Sequence, residues 1–370
     1  MSVTTPKGFT AAGTTAGIKE SGRPDLALVV NNGPDAHAAA VFTSNAFKAA
    51  PVLWSADAVA DGRLAAVVLN SGGANACTGR QGMADARAMT TCVAEQFGLR
   101  EPEVFVGSTG RIGVTMPMAN VQRGIVAASR LVNSSTASAD HVAEAIMTSD
   151  THPKQVAIEF KLGGKTVRIG GVCKGAGMIQ PGMSATGARP AARALHATML
   201  CFITTDALIS PLVLRQCLEE SVAQSFNRIT VDGDMSTNDT VLVLANGLAD
   251  NRPLVWAGPR DMKRAQKLGS QKPNQLELVM QFQSALNHVC LELAKKIVRD
   301  GEGVTRFVTV RVHGARNVAD ADAAARAVAN SALVKTSWFG GDPNWGRIID
   351  ALGYSPAKIV EEKVDIGYSA

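Results

Sequence analysis

A predicted β-hairpin near the middle of the chain, followed by a glycine-rich turn, constrains the fold more than any other feature. Residues 156–160 and 166–170 alternate apolar and polar side chains on either side of Gly163-Gly164, which is the pattern of two strands joined by a tight turn. The hairpin leads to Lys174 and the turn Gly-Ala-Gly-Met-Ile-Gln-Pro after it. An Ala/Arg/Gly-rich segment follows, and the apolar run that begins at residue 199 predicts a buried strand or the start of a helix.

Strands and helices alternate along the rest of the chain. Apolar runs between turn residues predict strands at 26–30, 38–42, 51–54, 64–69, 104–106, 241–245, 304–312 and 359–366. Helical spacing of apolar residues predicts helices at 81–97, 121–132, 140–147, 212–226, 276–298 and 318–332, and a Gly/Pro/Trp loop is predicted at 335–347. Lys174 precedes its glycines, which is not the order of a phosphate-binding loop. The pattern favours α+β layers over a Rossmann sheet.

Composition narrows the class of protein. A chain of 370 residues with 46% hydrophobic and 19% charged residues predicts a folded protein of two domains or one large one. The net charge of +5 comes from scattered Lys and Arg, which argues against nucleic-acid binding and suits small anionic substrates. The cysteines have no zinc-ligand spacing and predict reduced thiols. With neither an export signal nor a long apolar stretch, we expect a cytoplasmic protein without membrane contact. We also expect no metal and no organic cofactor.

The step Ala197-Thr198, just before the apolar run, is a candidate nucleophile and cleavage site. Threonine is a weak nucleophile that needs an adjacent base. A cut before Thr198 would free its α-amine, whose reference pKa of about 7.7–8.0 suits that role. Thr109 and Gly110, in a Ser-Thr-Gly turn after a predicted strand, offer the hydroxyl and backbone N–H that an oxyanion hole needs. From these residues alone, a buried structural threonine and an ordinary turn are the simpler explanations.

Several short motifs are spread along the chain. They are NSGGANACTG at 70–79, STG at 108–110, AIMTSD at 145–150, KGAGMIQP at 174–181, ATMLCFITTD at 197–206, DGD at 232–234 with STNDT at 236–240, DGEG at 300–303 and GDPNWGR at 341–347. These motifs resemble those of the ornithine acetyltransferase family, also described as bifunctional glutamate N-acetyltransferase or amino-acid acetyltransferase of arginine biosynthesis, and they stand in the family's order across nearly all 370 residues.

The resemblance implies an αββα-type layered sandwich of the N-terminal-nucleophile kind, with a second, smaller α/β domain. It also implies self-cleavage between Ala197 and Thr198 into an α chain of residues 1–197 and a β chain of residues 198–370, and assembly of two α and two β chains. Thr198 would take the acetyl group from N-acetylornithine and pass it to glutamate, releasing ornithine and N-acetylglutamate, with acetyl-CoA as a further donor.

The same resemblance implies roles for single residues. Thr109 and Gly110 match the family's oxyanion site. Thr148, Lys174, Thr198 and Glu302 match substrate-binding positions, Lys174 for a carboxylate or for keeping the nucleophile's amine neutral and Glu302 for an ammonium group.

Two departures from the family leave alternatives open. An extra segment, 182–196, separates the lysine motif from Thr198 and contains a second Ala-Thr step, Ala185-Thr186. We expect Thr198 to be the nucleophile because of the sequence after it, with Thr186 as the alternative. The family also continues beyond Ala370 with substrate-contacting residues, so we expect a missing contact. An N-terminal-nucleophile amidase or aminopeptidase and an inactive, unprocessed remnant of the family are the alternative functions.

Overall fold

The computed structural model describes residues 2–185, 199–255 and 275–369. In these ranges the strands are β1 (Phe9–Thr14), β2 (Leu26–Asn31), β3 (His37–Thr43), β4 (Ala66–Gly73), β5 (Val104–Arg111), β6 (Lys154–Leu162), β7 (Lys165–Lys174), β8 (Met183–Ser184), β9 (Leu200–Thr205) and β10 (Thr240–Ala245). The helices are α1 (Ala50–Ala58), α2 (Gly79–Phe97), α3 (Met118–Ser129), α4 (Thr136–Ala145), α5 (Pro211–Gln224), α6 (Gln275–Arg299), α7 (Val318–Asn330), α8 (Ala332–Gly340) and α9 (Trp345–Gly353).

These strands form two sheets. The larger has the order β6-β7-β9-β10-β3-β8 and the smaller the order β1-β2-β4-β5. The predicted hairpin is present as β6 and β7, and Lys174 at its end lies opposite Leu200 at the start of β9. Leu200 in turn lies opposite Thr240, where the parallel strand β10 begins. Every residue of β9 and β10 is buried, as expected for uninterrupted apolar strands covered on both faces.

The two sheets face each other across an apolar core. Phe42 and Phe202 from the larger sheet meet Phe105 from the smaller one, with Phe105 stacked on Phe42 and edge-on to Phe202. Helices α2 and α3 pack on the outer face of the smaller sheet, and α5 and α6 pack on the outer face of the larger. The predicted α+β class and αββα layering are therefore confirmed.

The strand predicted at 51–54 is wrong. These residues lie in α1, with Pro51 in the first turn, where a missing N–H removes no helical hydrogen bond. Periodicity cannot tell so short an apolar run from part of a helix, and flanking residues gave no stronger signal.

The C-terminal region contains three short helices between non-helical segments. Helices α7 to α9 pack around Val328, Val334 and Ala351. The strands predicted at 304–312 and 359–366 are wrong, since these residues join neither sheet in the described structure. An alternating pattern alone does not provide the neighbouring strand that must pair with its backbone. The loop predicted at 335–347 is partly helical, because it includes the end of α8 and the start of α9.

Among the helices that the structure describes, none combines the length and the apolarity needed to cross a membrane.

Candidate active site

The end of β5 is packed tightly against the end of β4. Gly110 lies opposite Gly72 in the parallel register of the two strands, and its φ of +131° is in the region that favours glycine. A Cβ at Gly110 would lie 2.6 Å from the Gly73 nitrogen and closer still to the Gly72 carbonyl carbon. This glycine contact fixes the position of the preceding residue, the buried Thr109.

Replacing Gly110 with alanine is expected to destabilise the protein. The backbone conformation alone costs about 1–3 kcal/mol for a residue with a side chain, and the overlap with Gly72 and Gly73 adds to it. Gly113→Ala is the matched control, because Gly113 also has a positive φ (+78°) but nothing lies within 4 Å of its added Cβ. Urea unfolding of both variants checks this; equal losses of stability would show that the contact with β4 has no part in the effect.

Lys174 connects three parts of the site. Its Nζ donates to Thr148 Oγ1 at 2.6 Å and to Thr109 Oγ1 at 3.3 Å, and it lies 3.9 Å from Asp150 Oδ2. The side chain is buried. Burial lowers the pKa of Lys174, and the carboxylate of Asp150 opposes that effect. The strand β7, the loop after α4 and the end of β5 thus meet at one ammonium group.

Asp150 anchors this lysine in a buried network of charges. Its carboxylate accepts hydrogen bonds from the backbone N–H groups of Thr148 (3.0 Å) and Gly175 (2.6 Å) and from Lys154 Nζ (2.5 Å). Burial alone would raise the pKa of Asp150, but the ammonium groups of Lys174 and Lys154 outweigh it and lower that pKa to about 2. Asp150 is therefore ionised at neutral pH.

The same network reaches the end of α6. Lys154 Nζ lies 2.5 Å from Asp300 Oδ2, and Asp300 also accepts hydrogen bonds from the backbone N–H and the hydroxyl of Thr151. The Lys154 side chain is only 1% exposed, so its charge is balanced by the carboxylates of Asp150 and Asp300 rather than by water. Glu302 follows Asp300 by two residues, so the network holds the backbone that leads to Glu302.

Glu302 lies against the glycine-rich turn after Lys174. Its backbone N–H donates to Ala176 O at 2.8 Å, and a Cβ at Gly177 would come within 2.5 Å of a Glu302 carboxylate oxygen. The residue is exposed, and its charge acts on Lys174. It borders a cavity of about 820 Å³ whose lining does not include Thr109, Gly110, Thr148 or Lys174.

The segment before β10 closes the other side. Asn238 Nδ2 donates to Ala74 O at 2.7 Å and to Ser108 O at 2.8 Å, so one side chain joins the ends of β4 and β5. Thr109, Gly110, Thr237 and Asn238 line a small cavity. The oxyanion turn and the STNDT motif, which are far apart in the sequence, are therefore neighbours.

The predicted nucleophile Thr198, its alternative Thr186 and the cleavage step after Ala197 lie outside the described residues. The next residue, Met199, is described: its backbone N–H donates to the buried Asp239 Oδ1 at 2.6 Å. The structure thus brings together the other predicted site residues, Thr109, Gly110, Thr148, Lys174 and Glu302.

No role was predicted for Lys154 or Asn238, although both hold the site together. Lys154 stands four residues after Asp150, but the two lie on a loop and a strand, where no helical spacing links them. Asn238 belongs to a motif that carried the family resemblance, and only the structure shows its two carbonyl partners.

Four of the cysteines are buried in the core. Cys173, Cys201, Cys217 and Cys290 are buried free thiols, and burial raises the pKa of each, which keeps them protonated and weakly nucleophilic. Among the residues that the structure describes, no group of three or more His, Cys, Asp or Glu side chains could hold a metal ion.

Comparison with known proteins agrees with the family resemblance. The profile of the ArgJ family matches residues 10–370. The arginine biosynthesis bifunctional protein ArgJ of Symbiobacterium thermophilum is 48% identical over 98% of this chain and 83% of its own length. The glutamate N-acetyltransferase of Methanocaldococcus jannaschii is 46% identical over 98% of this chain and 81% of its own length. The crystal structure of ornithine acetyltransferase from Mycobacterium tuberculosis, complexed with ornithine, is 48% identical, with a TM-score of 0.48 over 50% of this chain and 96% of that chain.

These relatives confirm the prediction that the protein is an enzyme, an acyltransferase. The chain belongs to the ArgJ family.

Proposed function

We propose that this protein transfers the acetyl group of N-acetylornithine to glutamate, in arginine biosynthesis, through an acetyl ester on Thr198. The observation that carries the proposal is the position of Lys174, which lies opposite Leu200, two residues after Thr198, while its ammonium contacts Thr148 and Thr109. The names of the ArgJ relatives support the same reaction.

The nucleophile would form by cleavage of the Ala197–Thr198 bond. Thr198 Oγ attacks the Ala197 carbonyl, and the peptide C–N bond breaks to leave an ester and a free Thr198 α-amine. Water then hydrolyses the ester, which releases the Ala197 carboxylate and restores the Thr198 hydroxyl. The α chain (1–197) and β chain (198–370) would stay together, because β9 and β10 lie between β7 and β3 in one sheet. Assembly of two α and two β chains is part of this proposal.

Acetyl transfer then has two steps. Thr198 Oγ attacks the acetyl carbonyl while its own α-amine takes the hydroxyl proton. The intermediate collapses, the proton passes to the departing amine, and ornithine leaves. The neutral amine of glutamate attacks the acetyl ester and restores the threonine hydroxyl. A hydrolase would differ only in admitting water at this second step.

Thr109 and Gly110 would stabilise the oxyanion of each step. Lys174 donates to Thr109 Oγ1, which leaves the Thr109 hydroxyl hydrogen free to point into the small cavity that both residues line. A donor aimed at the developing charge in this way typically contributes about 10²–10³ in rate. Thr148 would contact substrate, and the exposed Glu302 carboxylate would bind an ammonium group, such as the side chain of ornithine.

An assay of products tests the proposal. We expect ornithine and N-acetylglutamate in equal amounts from N-acetylornithine and glutamate, and at most one equivalent of ornithine per active site without glutamate. Acetate formed at the same rate with and without glutamate would overturn the transferase in favour of an amidase. A parallel reaction with acetyl-CoA and glutamate tests the second donor.

A further inference from the structure

A loop between β1 and β2 reaches the site from a side that the mechanism above does not use. The buried Asp25 carboxylate accepts the backbone N–H groups of Ala16 (2.6 Å), Ile18 (2.6 Å) and Lys19 (2.9 Å). Three such bonds to one carboxylate hold the backbone of Lys19 in a fixed position.

The stem of Lys19 lies over the glycine contact that forms the oxyanion turn. A Cβ at Gly72 would be 3.3 Å from Lys19 Cγ, and Gly72 is the register partner of Gly110. A side chain at position 72 would therefore separate Lys19 from the turn. Because Gly72 and Gly110 have no side chains, the loop that carries Lys19 packs on β4, and β4 packs on the end of β5.

Within the described ranges, the Lys19 ammonium does not use all of its N–H donors. Within the described ranges its one acceptor is Pro24 O, at 2.7 Å, and an ammonium has three N–H donors. Both oxygens of Asp25 already accept backbone N–H groups. By contrast, Lys174 already donates to two hydroxyls beside Asp150. Lys19 is half-buried and close enough to the site for the charges of Lys174 and Asp150 to act on it.

We propose that Lys19 binds the α-carboxylate of the amino-acid substrate, as a second cation beside Lys174. This inference rests on the proposed function, in which the donor is an N-acetylated amino acid and the acceptor a free one. Lys174 would then organise Thr109 and Thr148, while Lys19 holds the carboxylate that donor and acceptor share.

The charged surroundings of Lys19 make this binding sensitive to pH. Burial lowers the pKa of Lys19 to about 8, and Lys174 and Arg23 act in the same direction while Asp25 and Asp150 oppose it. Glu20, the next residue, is paired with Arg111. Lys19 is charged below pH 8 and neutral above it, so affinity for a carboxylate is expected to fall as the pH rises through about 8.

Three variants test the proposal. Lys19→Met is expected to raise KM for N-acetylornithine and for glutamate by roughly 10- to 100-fold, the range of one charge-assisted hydrogen bond, with a smaller change in kcat. Lys19→Arg keeps the charge, so KM should stay near the wild-type value and no longer rise above pH 8. Arg23→Gln removes an exposed charge from the same loop and should leave KM unchanged at pH 7, where Lys19 is charged with or without it.

Calorimetric titration with glutamate, in wild type and Lys19→Met, separates this inference from the proposed function, because it needs no turnover. Weaker binding to Lys19→Met supports the carboxylate contact even if no acetyl transfer occurs. Equal dissociation constants, or a kcat loss without a KM change, would overturn it.

Discussion

Replacing Thr198 with alanine is expected to leave the chain uncut and to abolish acetyl transfer. Without the hydroxyl, no ester can form with the Ala197 carbonyl, and no acetyl group can be held afterwards. Loss of a covalent nucleophile lowers kcat by a factor on the order of 10⁶. Intact mass measurement, with N-terminal sequencing of any fragment, should show fragments 1–197 and 198–370 for the wild type and one full-length chain for the variant.

Two further substitutions make this result specific. Thr198→Ser keeps a hydroxyl and should restore both cleavage and some transfer. Thr186→Ala removes the alternative nucleophile and should leave both unchanged. If Thr198→Ala is still cut, or if cleavage instead depends on Thr186, then Thr198 is not the processing nucleophile. A wild-type chain that stays whole would favour the inactive, unprocessed alternative.

The sequence predicted the features that depend on local patterning. The hairpin around Gly163-Gly164 and the long helix α6 follow directly from the period of their apolar residues, whereas the apolar run that forms β9 predicted either a buried strand or the start of a helix. These elements place Lys174 beside the start of β9. The resemblance named Thr148 and Glu302, and the structure places both beside Lys174 or its turn.

Features that depend on distant partners were harder to predict. The alternation at 304–312 is that of a strand, but the described structure gives it no strand partner. Asn238 joins β4 to β5 across more than 100 residues of sequence, a contact that no local pattern encodes. The position of Lys19 was equally hard to predict, because the conformation of its loop depends on three backbone N–H groups that donate to Asp25.

Lys154 is the residue whose removal should most affect stability. Its buried ammonium lies between the carboxylates of Asp150 and Asp300, and Asp150 in turn fixes Gly175 and Thr148. A buried ion pair adds little stability compared with a well-packed apolar group, but removal of one partner leaves a buried charge uncompensated. Here two carboxylates would lose their shared cation.

Lys154→Met is therefore expected to lower the free energy of unfolding by about 3–5 kcal/mol at pH 7, measured by urea unfolding. Lys161→Met, an exposed position on the same hairpin whose Nζ contacts Thr166, should change it by about 0.5 kcal/mol or less.

The wild-type pKa of Asp150, about 2, lies below its unfolded value of about 3.9. The stabilisation is therefore complete above about pH 4 and is lost as the pH falls towards 2, so the deficit of Lys154→Met should shrink over that range. A deficit that matches that of Lys161→Met, or that is unchanged down to pH 2, would show that the buried network does not carry this stability.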